Sequence, residues 1–178
     1  MWLSSLEYRR YGRMLSCVDL GSGIGRVLMM AAIIGGVAAT GIELQDHLHE
    51  LAVQWHEDSA CGIPGLALML QEQKDRLIHG NFLTCPKAVH AVQLADAIFT
   101  NNLKFIQPGP RGSASLNGKL ATHLAKHMRP DACIVSSAEL PHASLSTAEF
   151  QFGPDSVSWI RKSCTGFITS HKNMANPT

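Results

Sequence analysis

Three glycines at alternate positions follow a short apolar segment and constrain the fold of this 178-residue chain more than any other feature. Residues 18–25 are Val-Asp-Leu-Gly-Ser-Gly-Ile-Gly, and an apolar helix is predicted directly after them, at residues 26–34. Glycine lets the backbone turn tightly and lets a ligand approach without meeting a Cβ atom. A strand, a glycine turn and a helix in this order are typical of the ligand-binding corner of an α/β domain.

Apolar segments and chain breakers alternate along the sequence, which predicts strands and helices in turn. Strands are predicted at residues 14–20, 37–43, 77–79, 95–100 and 132–136, and helices at 26–34, 44–57, 66–76 and 116–128. Residues 156–159 and 164–169 are predicted to form a late antiparallel pair. We therefore expect one α/β domain over residues 1–178, with a mostly parallel sheet and a C-terminal antiparallel strand pair.

Four polar side chains stand at or just beyond the ends of consecutive predicted strands. They are Asp19, Glu43, Asn81 and Asn101. The carboxyl ends of parallel strands meet at one edge of the sheet, where ligands of such folds bind. The sequence therefore predicts that these four residues converge on one crevice.

The spacing of the glycines and the acid before them restrict the ligand. Gly-x-Gly-x-Gly is not the Gly-x-Gly-x-x-Gly fingerprint of dinucleotide sites, and Asp19 would repel a pyrophosphate. An acid there suits an ammonium group, and Glu43 is placed to accept hydrogen bonds from a ribose diol. A ligand with a ribose, a cationic end and no phosphate is S-adenosylmethionine. The alternative is a purely structural glycine turn in an unrelated α/β domain.

Composition excludes several classes of function. With 15 basic and 14 acidic residues the net charge is +1, so no polyanionic partner is required. The five cysteines form no closely spaced pair, which favours a reducing compartment over a disulfide framework. The first eleven residues carry charges and predict no secretory signal, and the longest apolar segment is too short to span a membrane. His123 and His127 are four residues apart, but no acid or cysteine completes a set of ligands, so no metal site is predicted.

Several segments in order resemble the Dot1-type histone H3 lysine-79 methyltransferases, a non-SET family with the Rossmann-like class I methyltransferase fold. The resemblance extends from about Cys17 to about His171. Its segments are residues 18–25, Thr-Gly-Ile-Glu at 40–43, Gly-Asn-Phe at 80–82, Ile-Phe-Thr-Asn-Asn-Leu-Lys-Phe at 98–105, Ile-Val-Ser-Ser at 134–137 and Ser-Val-Ser-Trp at 156–159. The glycine motif alone indicates a class I methyltransferase, and the later segments are more specific.

The resemblance implies an enzyme that transfers a methyl group from S-adenosylmethionine to the side chain of lysine 79 of histone H3. It implies the nucleosome as partner and the nucleus as location. Asn101 would lie beside the methionine moiety and the target amine, and Phe167 would be an aromatic lining of the lysine channel. The residues implied in cofactor binding are Asp19, Leu20, Gly21, Ser22, Gly23, Gly25, Arg26, Glu43, Asn81, Phe82 and Asn101.

Three departures from the family pattern leave two alternative functions open. The family has Asp where this chain has Asn81, so weaker cofactor binding is expected. The cofactor-covering segment before the glycine motif is expected to be short or missing. Lys162 and Lys172 could contact nucleosomal DNA, but no polybasic tail accompanies them. The alternatives are a degenerate relative that binds cofactor or a partner with weak or no catalysis, and a class I methyltransferase with another protein or small-molecule substrate.

Overall fold

The computed structural model describes six stretches of the chain, residues 15–34, 37–60, 76–107, 115–143, 145–151 and 165–171. Strands and helices alternate through these stretches. The strands are β1 (Leu15–Leu20), β2 (Val37–Glu43), β3 (Leu77–His79), β4 (Ala97–Thr100), β5 (Cys133–Ser136), β6 (Leu145–Gln151) and β7 (Thr165–His171). The helices are α1 (Arg26–Ile34), α2 (Asp46–Ala60), α3 (Pro86–Leu94) and α4 (Leu116–His127), with a 3₁₀ turn at Leu103–Ile106.

The seven strands form one sheet in the order β3-β2-β1-β4-β5-β7-β6. The first five pair in parallel, so the predicted parallel α/β sheet is confirmed. The chain adds β2 and β3 on one side of β1 and then crosses to add β4 on the other side. This change of direction creates a crevice outside the carboxyl ends of β1 and β4, the usual ligand position in open α/β sheets.

The end of the sheet differs in detail from the sequence prediction. β7 pairs antiparallel with both β5 and β6, and β6 was not assigned from the sequence. The predicted partner of the last strand, residues 156–159, lies outside the described residues, as do residues 66–75 of one predicted helix and the basic residues Lys162 and Lys172.

Helix α3 is also absent from the sequence prediction. Pro86 stands at its start, where the missing backbone N–H of proline costs nothing. Ala88 and Val92, four residues apart, face the core and are fully buried. This spacing is the helical signal in the sequence, but the helix has only nine residues, which makes the pattern short.

The core has two parts, one on each face of the sheet. Val18 and Leu20 of β1 pack in a cluster with residues of α3 and α4, including Val92 and Leu120. Cys17, the residue before Val18, points to the other face and packs with Leu28 of α1 and Ala39 of β2. β1 is therefore buried on both sides, which fixes the position of the glycine loop that follows it. Within the described stretches, no helix is long and apolar enough to cross a membrane.

Candidate functional site

The glycine loop is fixed to the end of β2 by its own backbone. The N–H groups of Gly21 and Ser22 both donate to the carbonyl of Ile42, at 2.9 and 3.1 Å, and Gly25 N–H donates to the carbonyl of Ser22 at 2.9 Å. Gly21, Gly23 and Gly25 have φ angles of +78°, +55° and +78°, which other residues adopt only at a cost. The alternating glycines are therefore required by the turn itself.

The three glycines differ in what surrounds them. A Cβ atom on Gly23 would meet nothing within 4 Å, so this part of the loop is open to a ligand. A Cβ atom on Gly25 would lie 2.6 Å from Cε1 of His56, a buried residue of α2. One on Gly21 would lie 3.9 Å from Cζ of Phe105 in the 3₁₀ turn. The loop thus packs against protein at Gly25 and presents its open side around Gly23.

Glu43, the last residue of β2, is buried and held by two backbone groups. Its Oε2 accepts from the N–H of Gly23 and its Oε1 accepts from the N–H of Gln45, both at 2.8 Å. Each carboxylate oxygen can accept a further hydrogen bond. Glu43 is therefore fixed against the glycine loop, with acceptor capacity left for hydroxyl donors such as those of a ribose.

Asp19 lies in β1 beside the loop and is only 4% exposed. Burial, and then the negative charge of Glu43, raise the pKa of the Asp19 carboxyl from 3.8 to about 7. A cation bound next to it would favour the ionised form and lower the pKa again. The pair of acids therefore makes a site in which a positively charged ligand group is electrostatically favoured.

Asn81 and Phe82 follow β3 at the same edge of the sheet. The side-chain Oδ1 of Asn81 accepts from the N–H of Leu83 at 2.9 Å, and Gly80 N–H donates to the carbonyl of Glu43 at 2.8 Å. Phe82 is buried, and its ring centroid lies 6.0 Å from that of Phe105. The two rings and Gly21 thus connect the end of β3 to the glycine loop.

The two asparagines after β4 occupy different environments. Asn101 is exposed at the carboxyl end of β4, whereas Asn102 has no exposed surface. Asn102 is hydrogen-bonded to Asn117 and to Ala138. Asn101 is therefore the member of the pair whose side chain is available to a ligand.

The remaining residues of the predicted site are Leu20, Ser22, Arg26 and Phe167. Leu20 is a core side chain, so only its backbone can face the crevice. Ser22 is buried, and its Oγ has no hydrogen-bond partner among the described residues. Arg26 begins α1 and is exposed. Phe167 lies in β7 in register with Ser136 of β5, and its role in the channel stays a prediction.

Together, the structure brings Asp19, the glycine loop and Glu43 into one crevice, with Asn81 and Asn101 at the ends of the flanking strands β3 and β4. His56, which supports Gly25, was not predicted from the sequence, because it has no motif of its own and is defined by contact with a glycine distant in sequence. Phe105, which covers Gly21, belongs to the segment 98–105, but the sequence did not predict its contact with the glycine loop. Within the described stretches, no group of three His, Cys, Asp or Glu residues could hold a metal ion.

Comparison with known proteins identifies a family over most of the chain. The family model described as histone methylation protein DOT1 matches residues 14–171. A protein of Emericella nidulans named histone-lysine N-methyltransferase, H3 lysine-79 specific, is 29% identical over 168 residues, which cover 86% of this chain and 31% of that protein. Its namesake from Aspergillus fumigatus is 28% identical over the same length and the same shares. The chain thus spans about a third of the length of these relatives.

Solved structures share the fold at lower sequence identity. An RNA methyltransferase from Salinibacter ruber in complex with S-adenosyl-L-homocysteine has a TM-score of 0.58 and 19% identity, covering 91% of this chain and 84% of that one. A TehB-like S-adenosylmethionine-dependent methyltransferase from Corynebacterium glutamicum has a TM-score of 0.55 and 15% identity, covering 90% and 81%. At these identities the likeness shows a Rossmann-like methyltransferase fold and nothing about the acceptor.

Proposed function

Since the chain belongs to the family of the histone methylation protein DOT1, we propose that it transfers a methyl group from S-adenosylmethionine to the side chain of lysine 79 of histone H3. The observation that carries the proposal is the arrangement of Asp19 and Glu43 around an open glycine loop at the switch point of the sheet. Fold and family agree with that arrangement. The site residues and the acceptor are the parts that experiment has to test.

The residues present fit S-adenosylmethionine. Glu43 is held by two backbone N–H groups and keeps acceptor capacity for a ribose diol. Asp19 would ionise beside the ammonium group of the methionine end, since a neighbouring cation offsets the burial and the Glu43 charge that raise the pKa of its carboxyl. Gly23 leaves space where any other residue would place a Cβ atom. We assign Asn81 and Phe82 to the adenine end, at the carboxyl end of β3.

The main task of the protein in this reaction is to align the lysine amine with the methyl group. Bound S-adenosylmethionine would supply a methyl group on a sulfonium sulfur. An uncharged lysine amine would form a bond to the methyl carbon as the carbon–sulfur bond breaks, with S-adenosylhomocysteine as the leaving group, and the methylated amine would then release a proton to water. A lysine amine that leaves water for a buried channel has a lowered pKa and becomes neutral more readily, so no strong base is needed. Asn101 is exposed next to the glycine loop, and its amide oxygen can accept a hydrogen bond from the amine and orient its lone pair.

The acceptor is proposed from the family and from the printed names of the relatives. A histone acceptor implies the nucleosome as partner and the nucleus as location. Two other functions remain in competition, a cofactor-binding relative without efficient transfer and a methyltransferase for a different acceptor. The first is favoured by Asn81, which replaces the charged residue of the family pattern and whose Oδ1 already accepts from Leu83 N–H.

Two measurements separate these functions. Calorimetry should show S-adenosylmethionine binding that is lost in Gly23→Arg, because the arginine side chain would enter the open side of the loop. Lys119→Ala, an exposed position on α4, is the matched control and should bind as the wild type does.

Methyl transfer is then measured on nucleosomes, on free histone H3 and on nucleosomes with arginine in place of lysine 79. Transfer that requires lysine 79 supports the proposal. Cofactor binding with no transfer to any histone supports the non-catalytic relative, and transfer that survives the arginine replacement shows a different acceptor. Activity unchanged in Gly23→Arg would contradict the site assignment.

A further inference from the structure

We infer that Asn102 and Asn117 form a clamp that positions the acceptor side of the site. The inference rests on the proposed function and adds two residues that touch neither cofactor nor acceptor. The clamp consists of the two asparagine side chains and the backbone groups that they bind after β5. It joins the segments that follow β4 and β5 to the first turn of α4.

The Asn102 side chain pairs with the backbone of Ala138 as a residue of a neighbouring strand would. Its Oδ1 accepts from the N–H of Ala138 at 2.8 Å, and its Nδ2 donates to the carbonyl of the same residue at 2.9 Å. One side-chain amide therefore pairs with one residue in both directions, as neighbouring strands pair in a sheet. This extends the contact between β4 and β5 two residues beyond their last backbone pair, Thr100 with Ser136.

Asn117 continues the network from α4. Its Oδ1 accepts from Nδ2 of Asn102 at 2.5 Å, and its Nδ2 donates to the carbonyl of Glu139 at 2.6 Å. Asn102 is fully buried and Asn117 is 4% exposed. Both hydrogens of the Asn102 amide and its oxygen are bonded within the protein, and the residue has no exposed surface, so its side chain is not accessible to a ligand. A satisfied buried network of this kind specifies one arrangement of the segments it joins.

The clamp sets the position of two residues that face the crevice. Asn101 precedes Asn102 directly, so a shift of the clamped residue moves the exposed amide that we assign to the acceptor amine. The carbonyl of Asn102 also accepts from the N–H of Phe105 at 2.9 Å, and the Phe105 ring lies over Gly21. Misplacement by about 1 Å is enough to cost a large factor in rate when a reaction depends on alignment.

The experiment compares Asn117→Ala with Asn117→Gln. Alanine removes both hydrogen bonds of residue 117, whereas glutamine keeps the amide oxygen and the NH₂ group on a side chain that is one methylene longer. We expect kcat to fall at least tenfold in Asn117→Ala and to recover in part in Asn117→Gln. The dissociation constant of S-adenosylmethionine should change less than threefold in both, since the bonds of Glu43 are untouched. Thr122→Ala, which loses one exposed hydrogen bond on the same helix, is the control.

A purely structural role gives a different result. Each rate is measured at a temperature where thermal unfolding shows that variant and wild type are equally folded. A kcat within twofold of the wild type under these conditions in Asn117→Ala would overturn the inference. So would equal losses of kcat in the alanine and glutamine variants.

Nuclear magnetic resonance makes the test independent of methyl transfer. In protein labelled with ¹⁵N-asparagine and ¹⁵N-phenylalanine, Asn117→Ala should shift or broaden the side-chain amide signal of Asn101 and the backbone signal of Phe105. Unchanged signals would contradict the inferred positioning role of Asn102 and Asn117, even if histone methylation is confirmed. Changed signals in a protein that methylates no histone would support the clamp and contradict only the proposed function.

Discussion

Replacement of Gly25 by alanine tests the packing of the glycine loop against α2. Two costs are expected. The φ angle of +78° is unfavourable for an L-residue by about 1–2 kcal/mol. The new Cβ atom would lie 2.6 Å from Cε1 of His56, which is 1% exposed and has no free space to move into, and overpacking of this kind costs about 1–3 kcal/mol. The sum, about 2–5 kcal/mol, is a large part of the 5–15 kcal/mol that stabilise an ordinary domain.

Gly23→Ala is the matched control. Its φ of +55° carries a similar backbone cost, but its Cβ atom would meet nothing within 4 Å. Both replacements reduce the entropy of the unfolded chain by about the same amount, so this contribution cancels between them. The difference between the two variants, about 1–3 kcal/mol, therefore measures the contact with His56.

The free energy of unfolding is measured by urea titration, followed by tryptophan fluorescence and circular dichroism. The double variant Gly25→Ala/His56→Ala completes a cycle, in which removal of the ring should make the alanine at residue 25 less costly. If Gly25→Ala is no less stable than Gly23→Ala, or if the His56 replacement does not relieve it, the inferred packing of the loop is wrong.

Four further outcomes are expected. Because the pKa of Asp19 is raised to about 7, stability should fall as pH rises from about 4 to about 7, and Asp19→Asn should unfold at higher urea than the wild type at pH 8. An ammonium ligand needs the ionised carboxylate, so the dissociation constant of S-adenosylmethionine, measured by calorimetry, should rise about tenfold per pH unit below 7, and this dependence should vanish in Asp19→Asn. Asn81→Asp should tighten cofactor binding about fivefold in the same assay, because a charged acceptor strengthens a hydrogen bond by about 1 kcal/mol. Glu43→Gln should weaken binding at least tenfold and cost about 1–3 kcal/mol in urea titrations, since its NH₂ group would face the N–H of Gly23 or Gln45.

The parallel sheet and the crevice could be predicted from the sequence because both follow from local patterns. β1, β2, β4 and β5 are apolar segments between breakers, and the glycines, Asp19 and Glu43 stand where those segments end. Helix α3 was not predicted because nine residues are too few to show a clear helical repeat of apolar positions. β6 was missed because an edge strand next to an antiparallel partner is specified by pairing with residues 165–171, about twenty positions away, and not by its own composition.

The two adjacent asparagines show that a sequence motif can locate a site without telling which of its residues binds the ligand. Residues 101 and 102 are chemically identical in the sequence, and nothing local distinguishes an exposed ligand-facing amide from a buried one. The distinction arises from partners at positions 117 and 138, which lie 15 and 36 residues further along the chain. Once β5 and α4 are in place, Asn102 has every polar atom paired and Asn101 does not share that network. Replacement of either residue would therefore lower the same activity for different reasons, Asn101 through the acceptor amine and Asn102 through the alignment of the segment. Comparison of the effects on kcat, on cofactor affinity and on stability distinguishes the role of Asn101 from that of Asn102.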